Sequence, residues 1–171
     1  EIVAEGRQKI AEIRGRGVFI AQGFGTRPSE LAPQLNQETR QIYADAKKCI
    51  WVEWQSAFIE TLPEHTVVET QSKDRTDYIL HPATGERLSG PSRDKVITLR
   101  NRYSDMYNAQ IVVSDGLNAL ALMDEGNLKP LLQTMRSQLA GRGLRLAPEI
   151  IVVKAGRVRA GYHERYRRLD R

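Results

Sequence analysis

The sequence predicts an α/β fold in which a helical and irregular linking arm (1–90) leads into a small α/β domain (91–171), a Rossmann-like parallel sheet with flanking helices and too few legible strands to be complete. Two apolar runs carry this expectation. Gln110-Ile111-Val112-Val113 stops at Ser114-Asp115-Gly116, and Ile150-Ile151-Val152-Val153 stops at Lys154-Ala155-Gly156. Short β-branched runs that end in small, polar and glycine residues read as buried strands opening into turns. Between them Leu128, Leu131, Leu132, Met135 and Leu139 recur on one helical face, and Gly141 and Gly143 end the pattern. A strand, a crossover helix and a second strand make a parallel unit. Its two terminal turns, at Ser114 and Gly156, are expected on one rim, where open α/β sheets bind ligands.

The remaining elements follow in chain order. Ile2, Val3, Ile10 and Ile13 among charged residues predict an amphipathic helix closed by Gly15 and Gly17. Val18–Ala21 is a strand candidate falling into the turn Gly23-Phe24-Gly25, which is far from a dinucleotide fingerprint. Asn36 is placed to cap a long helix lined by Ile42, Ala46, Cys49 and Ile50 and running on towards Trp54, with Trp51 and Trp54 on one face. Val67–Glu69 reads as a short edge strand, and Asp74–Ile79 as one or two helical turns broken by His81-Pro82-Ala83-Thr84-Gly85. Ser92–Tyr103 is a further helix with Val96, Leu99 and Tyr103 on one side. Strands missing from the second half are expected either beyond Arg171 or from the first half.

Composition bounds the function. The 171 residues are 40% hydrophobic and 27% charged, which suits a globular chain, and no apolar run reaches the ~18 residues a membrane helix needs. The sole cysteine, Cys49, can make no internal disulfide and suits a reducing cytoplasm. Most of the net charge of +5 sits in 157–171, where six arginines face Glu164 and Asp170. This cluster reads as a solvated end, or as a contact for an acidic partner or a phosphate-bearing cofactor. No zinc-finger spacing or RNA-recognition signature supports a nucleic-acid module. His65, His81 and His163 are isolated, so no metal site is expected, and Ser114-Asp115 lack the surroundings of a nucleophile. Ser114 or Asp115 is expected to cap the helix that begins near Leu117, with or without touching a ligand. No catalytic residue is assigned.

The stretch QIVVSDGLNALAL (110–122), a helix, AGRGLRLAPEIIVVKAG (140–156) and the GRV of Gly156-Arg157-Val158 together resemble the small, cobalamin-binding subunit of ethanolamine ammonia-lyase. RGVFIAQGFGTRPSEL (16–31), IYADAKKCIW (42–51) and DRTDYILHPATGE (74–86) resemble the segment joining the large and small parts where that enzyme is one longer polypeptide. A chain that opens on Glu1 rather than methionine suits such a fragment. The resemblance implies adenosylcobalamin as cofactor, radical conversion of ethanolamine to acetaldehyde and ammonia, and a large-subunit barrel that binds the substrate. It also implies an oligomer in the cytoplasm or a bacterial microcompartment, and an inactive fragment where the barrel is absent. Val158 falls on the family's cobalamin-contacting valine. Gly156, Arg157, Ser114, Asp115 and Gly116 join it as cofactor-binding candidates, the last three from the strand-end argument. The family's later glutamate in a GERPG-type loop and its later cysteine have no counterpart, and 159–168 depart from its pattern. A non-enzymatic interaction module using the two tryptophans and the arginine cluster, and a nucleotide-binding α/β domain, remain as alternatives.

Overall fold

Ile150 to Val153 carry no polar side chain, and all four are buried, at 0 to 8% exposure. They form most of β3 (Ile150–Lys154), the centre of a three-stranded sheet ordered β1-β3-β2. β1 (His65–Glu69) and β2 (Val112–Ser114) both run parallel to it, with Val67 opposite Val152 and Val113 opposite Val152 from the other side. The fold is α/β, as the sequence predicts. The computed structural model describes residues 2–17 and 33–161. The strand expected at Val18–Ala21, the turn at Gly23-Phe24-Gly25 and the arginines from Arg165 onward lie outside the described residues.

By backbone proximity the chain divides into two units, 1–48 and 49–171. The first holds α1 (Ile2–Gly15), ended at Gly17 with φ +82°, and most of α2 (Pro33–Trp51). Arg14 pairs with Glu38 at 2.8 Å. Asn36 lies inside α2 rather than at its start, and its side chain accepts a hydrogen bond from Arg40 one turn on. Of the expected apolar stripe, Ile42 and Ala46 are exposed while Cys49 and Ile50 are half-buried.

The second unit contains the whole sheet, so β1, which lies in the stretch read as a linking arm, supplies a strand that the second half lacks. β3 alternates between two cores. Ile150 and Val152 face Ile111, Val113, Trp54, Ile59, Leu62, Leu128 and Leu132, brought by α3 (Ser56–Ile59) and α7 (Leu128–Gly141). Ile151 and Val153 face Val68 and Leu99, with Val96 of α5 (Gly90–Arg102) and Tyr103 just past its end packed alongside. Each such side chain removed from water contributes about 1.5–3 kcal/mol.

Four expectations change in detail. α2 ends at Trp51, and Val52 to Gln55 have no regular structure, so Trp51 and Trp54 do not share a helical face. Trp51 is exposed, whereas Trp54 is buried and its indole N–H donates to the Val153 carbonyl at 3.0 Å. Leaving the helix is what lets the indole reach β3. On α7, Leu128 and Leu132 are buried but Leu131 and Met135 are exposed. The inward stripe continues instead to Arg136, which donates to the carbonyls of Ala147 and Pro148 at 3.2 and 2.6 Å. The run at 110–113 is not buried throughout, because α5 covers β1 and β3 on that face and leaves Val112 of edge strand β2 43% exposed. The cap of α6 (Ala119–Met123) is neither Ser114 nor Asp115 but Asn118, whose side chain accepts from the Ala121 amide at 3.1 Å.

Other ends match their local chemistry. Asp74 caps α4 (Arg75–Leu80) by accepting from the Asp77 amide, and Ser89 caps α5. α7 closes in a glycine turn with Gly143 at φ +80°, its amide donating to Ala140 and that of Leu144 to Leu139. At the amino end of the sheet Glu149 is buried, accepting from the Thr66 hydroxyl at 2.6 Å and from Arg102 and Tyr103 at 3.0 Å each. Those bonds, the Thr66 hydroxyl first, hold its carboxyl below the usual glutamate range against the opposing effect of burial. No helix among the described residues is long and apolar enough to cross a membrane.

Candidate functional site

Three parallel strands end on the same rim, and their terminal residues are tied together there. After β2 the chain turns at Ser114-Asp115-Gly116, with Gly116 at φ +49°. After β3 it turns at Ala155-Gly156, with Ala155 itself in the left-handed region at φ +49°. An L-residue there costs about 1–2 kcal/mol, so its surroundings must hold it. Asp115 does so, since its two carboxylate oxygens accept from the amides of Ala155 at 3.0 Å and Gly156 at 3.1 Å. The Thr70 hydroxyl, just beyond β1, donates to the Ala155 carbonyl at 2.8 Å, and the Ser114 hydroxyl donates to that of Gly156.

Gly156 is the point of closest approach. A Cβ there would meet Val153 Cγ1 at 2.5 Å and Ser114 Oγ at 2.6 Å, so no larger residue fits without moving its neighbours. At Gly116 a Cβ would meet nothing within 4 Å. One glycine is needed for space beneath the rim, and the other lies open above it.

Beside this junction sits a charged aromatic stack. Tyr78 of α4 is 1% exposed, with the guanidinium of Arg75 4.6 Å from its ring centre and that of Arg157 at 4.9 Å. Gly85, in the turn Thr84–Glu86, lies against the ring, where a Cβ would come within 2.8 Å of Tyr78 Cδ2. Arg75 is buried and donates to the carbonyls of Ile50 at 2.6 Å and Gly116 at 2.8 Å, with Nη1 3.7 Å from Asp115. Burial pushes the Asp115 carboxyl above the usual aspartate range, against the opposing pull of the Gly156 and Ala155 amides and of Arg75. Burial likewise raises the Tyr78 phenol.

All six candidates from the sequence lie on this rim, in different settings. Asp115 and Gly156 are buried, Ser114 and Arg157 are partly so, and Val158 is 79% exposed at the start of a 3₁₀ turn (Val158–Gly161). Arg157 donates from its backbone to Gly85 at 2.8 Å and from its side chain to Tyr78 at 3.2 Å. Leu117, next to Gly116, is 48% exposed. Where β1 and β3 end, a polar cleft of about 240 Å³ lies among Glu53, Thr70, Ser72, Lys73 and Lys154. Among the described residues no cluster of His, Cys, Asp and Glu could hold a metal ion.

Arg75, Tyr78, Gly85 and Thr70 were not singled out as site residues from the sequence. Three of them fall within 74–86, a stretch that carried the family likeness but no chemistry of its own.

The profile of the ethanolamine ammonia-lyase light chain (EutC) matches residues 20–164. This chain belongs to that family. An ethanolamine ammonia-lyase small subunit from Pseudomonas fluorescens is 32% identical over 92 residues, covering 54% of this chain and 32% of the relative. One from Clostridium acetobutylicum is 28% identical over 113 residues, covering 66% and 44%. One from Pseudomonas aeruginosa is 30% identical over 92 residues. The chain thus spans less than half the length of these ethanolamine ammonia-lyase relatives, and the span matched by the family profile contains both rim loops.

Proposed function

We propose that this chain forms one wall of a cobalamin crevice in an ethanolamine ammonia-lyase, with Val158 and the open face above Gly116 turned towards the cofactor. The observation that carries the reading is the pair of hydrogen bonds from the Ala155 and Gly156 amides to Asp115, which lock the β2 and β3 turns into one rim. A corrin is a broad, largely apolar disc fringed with carboxamides. The rim's chemistry suits it, offering exposed aliphatic surface at Val158 and Leu117, room above Gly116, and polar groups on either side. The cleft of about 240 Å³ is too small and polar to enclose such a disc, which favours a single wall completed by another subunit or segment.

When bound, adenosylcobalamin would supply the radical chemistry that removes hydrogen from ethanolamine on the way to acetaldehyde and ammonia. The chain's own part is to hold and orient. Val158 would contact the disc, Ser114 and Gly156 set the spacing of the loop that carries it, Asp115 fixes that loop's backbone, and Arg157 anchors it to α4. Substrate binding falls to a large-subunit barrel, in the same or another chain, so the 171 residues alone are inactive. The segment linking the two parts, read from the sequence as 1–90, is narrowed to 1–48, because β1 and α4 belong to the sheet unit, and the assembled oligomer works in the cytoplasm or a microcompartment.

The test is titration of cyanocobalamin into the chain assembled with its large subunit, followed by absorbance. Saturable binding that Val158→Asp weakens at least tenfold supports the reading. Absence of binding by the assembly, or full affinity in the variant, overturns it.

A further inference from the structure

Nothing in the fold of the 155–158 loop holds it by itself. Its Ala155 is left-handed, its Val158 is exposed, and the amides of its first two residues are held by the Asp115 carboxylate, their carbonyls by the Thr70 and Ser114 hydroxyls. Asp115 is in turn buried, and its charged neighbour is Arg75. The Arg75 guanidinium is anchored through Nε by the Ile50 carbonyl at the end of α2 and through Nη2 by the Gly116 carbonyl in the β2 turn, and it stands over the ring of Tyr78, while Nη1 faces Asp115 at 3.7 Å without a hydrogen bond. Tyr78 is itself pressed against Arg157, the residue before Val158.

Resting on the cofactor reading above, we infer that Arg75 is a positioning residue for the cofactor loop. It acts through Asp115 and Tyr78 to fix where Val158 stands, and does not touch the cofactor. The reasoning is geometric. A planar guanidinium reaches a carbonyl on each of two segments while standing over an aromatic ring, which a lysine ammonium cannot do. Take it away and a buried carboxylate keeps its amides but loses its counter-charge, the Gly116 carbonyl loses its donor, and Tyr78 loses one side of its stack. The turn at Gly116 and the turn at Ala155 are then free to shift relative to one another. Displacements of about 1 Å at a binding loop can cost on the order of a hundredfold in function.

The experiment uses the assembled enzyme with Arg75→Met, Arg75→Lys and Asp115→Asn, cyanocobalamin affinity by calorimetry, and amide hydrogen exchange of the peptide 154–158 against 147–153. Arg75→Met is expected to weaken cyanocobalamin about tenfold or more and to speed exchange in 154–158 about tenfold, with 147–153 still protected. Arg75→Lys should fall between it and the parent, and Asp115→Asn should match or exceed Arg75→Met. If Arg75→Met fails to assemble, the same ordering of Arg75→Lys and Asp115→Asn carries the test. The inference is overturned if folded Arg75 variants keep parental affinity and loop exchange, or if exchange rises equally across both peptides, which is the signature of general destabilisation. A parent enzyme that binds no cyanocobalamin overturns the cofactor reading and this inference with it, whereas tight parental binding with unchanged loop exchange in the variants overturns the positioning role alone.

Discussion

Adding a single methyl group at Gly156 should be among the most damaging small changes in the second unit. The position is not one of unusual backbone, so the cost is one of space. The new Cβ would lie 2.5 Å from Val153 Cγ1, 2.6 Å from Ser114 Oγ and 3.0 Å from Val153 Cβ. Val153 is 3% exposed and packed on Val68 and Leu99, so it cannot swing aside. Overpacking of this kind costs about 1–3 kcal/mol. Pushing Ser114 away also forfeits its bond to the Gly156 carbonyl, about 1 kcal/mol more. Gly156→Ala should therefore lose about 2–4 kcal/mol in urea unfolding followed by circular dichroism. Gly116→Ala is the control, since it meets open space and bears only the strain of φ +49°, about 1–2 kcal/mol. Val153→Ala combined with Gly156→Ala should be at least about 1 kcal/mol less damaging than the two changes summed, because the first removes the atom the second strikes. A Gly156→Ala chain within about 0.5 kcal/mol of the parent, or strictly additive effects in the double variant, would refute the packing described here.

Further outcomes are expected at other positions. Because the carboxyl of Glu149 is held below its ordinary 4.5, its contribution is present above that pH and drains away as the pH falls through the lowered folded-state value. Glu149→Gln should then cost about 1–3 kcal/mol at neutral pH and flatten the acid limb of urea midpoint against pH, whereas a parallel acid limb would show the carboxylate to be idle. Asp115 has the opposite sign, its raised value making its contribution greatest below 3.8 and weaker as the pH climbs through the folded-state value. Trp54→Phe keeps most of the ring's packing but leaves the Val153 carbonyl without the indole donor, so about 1–2 kcal/mol should vanish from the urea-derived stability. On α7, Leu132→Ala should cost about 2–4 kcal/mol and Leu131→Ala under about 1, and equal losses in thermal melts would mean the helix is rotated from the orientation seen.

The central strand and the shared rim were legible because they rest on local signals. Ile150–Val153 is a short apolar run bounded by polar and glycine residues, and such a run has few alternatives to a strand buried on both faces. α4 and α5 were legible from their polar starts and their breaks. The role of Asp115 was not. Its position suggests a helix cap from sequence, and only the neighbouring strand, 40 residues on, supplies the two amides that claim its oxygens instead. The Arg75, Tyr78, Gly85 and Arg157 stack escaped for the same reason, since contacts between distant segments leave no periodicity. Helix α7 was placed correctly but read with too wide a face, because a half-buried arginine, Arg136, took a place in the contact stripe and serves two carbonyls. The tryptophan pair looked helical by spacing, and a single hydrogen bond to β3 outweighed that spacing.

Among the described residues, the order β1-β3-β2 puts the latest of the three strands between the two made earlier. Neither edge strand has its sheet neighbour until residues 150–154 leave the ribosome, so β1 and β2 both wait unpaired while the crossover through α7 is made. Closure must then happen in one late, long-range step, slow by the measure of contact order, and the same step that completes the hydrophobic interior brings the two turns of the rim together. In this topology a molecule caught before that step lacks the joined rim altogether.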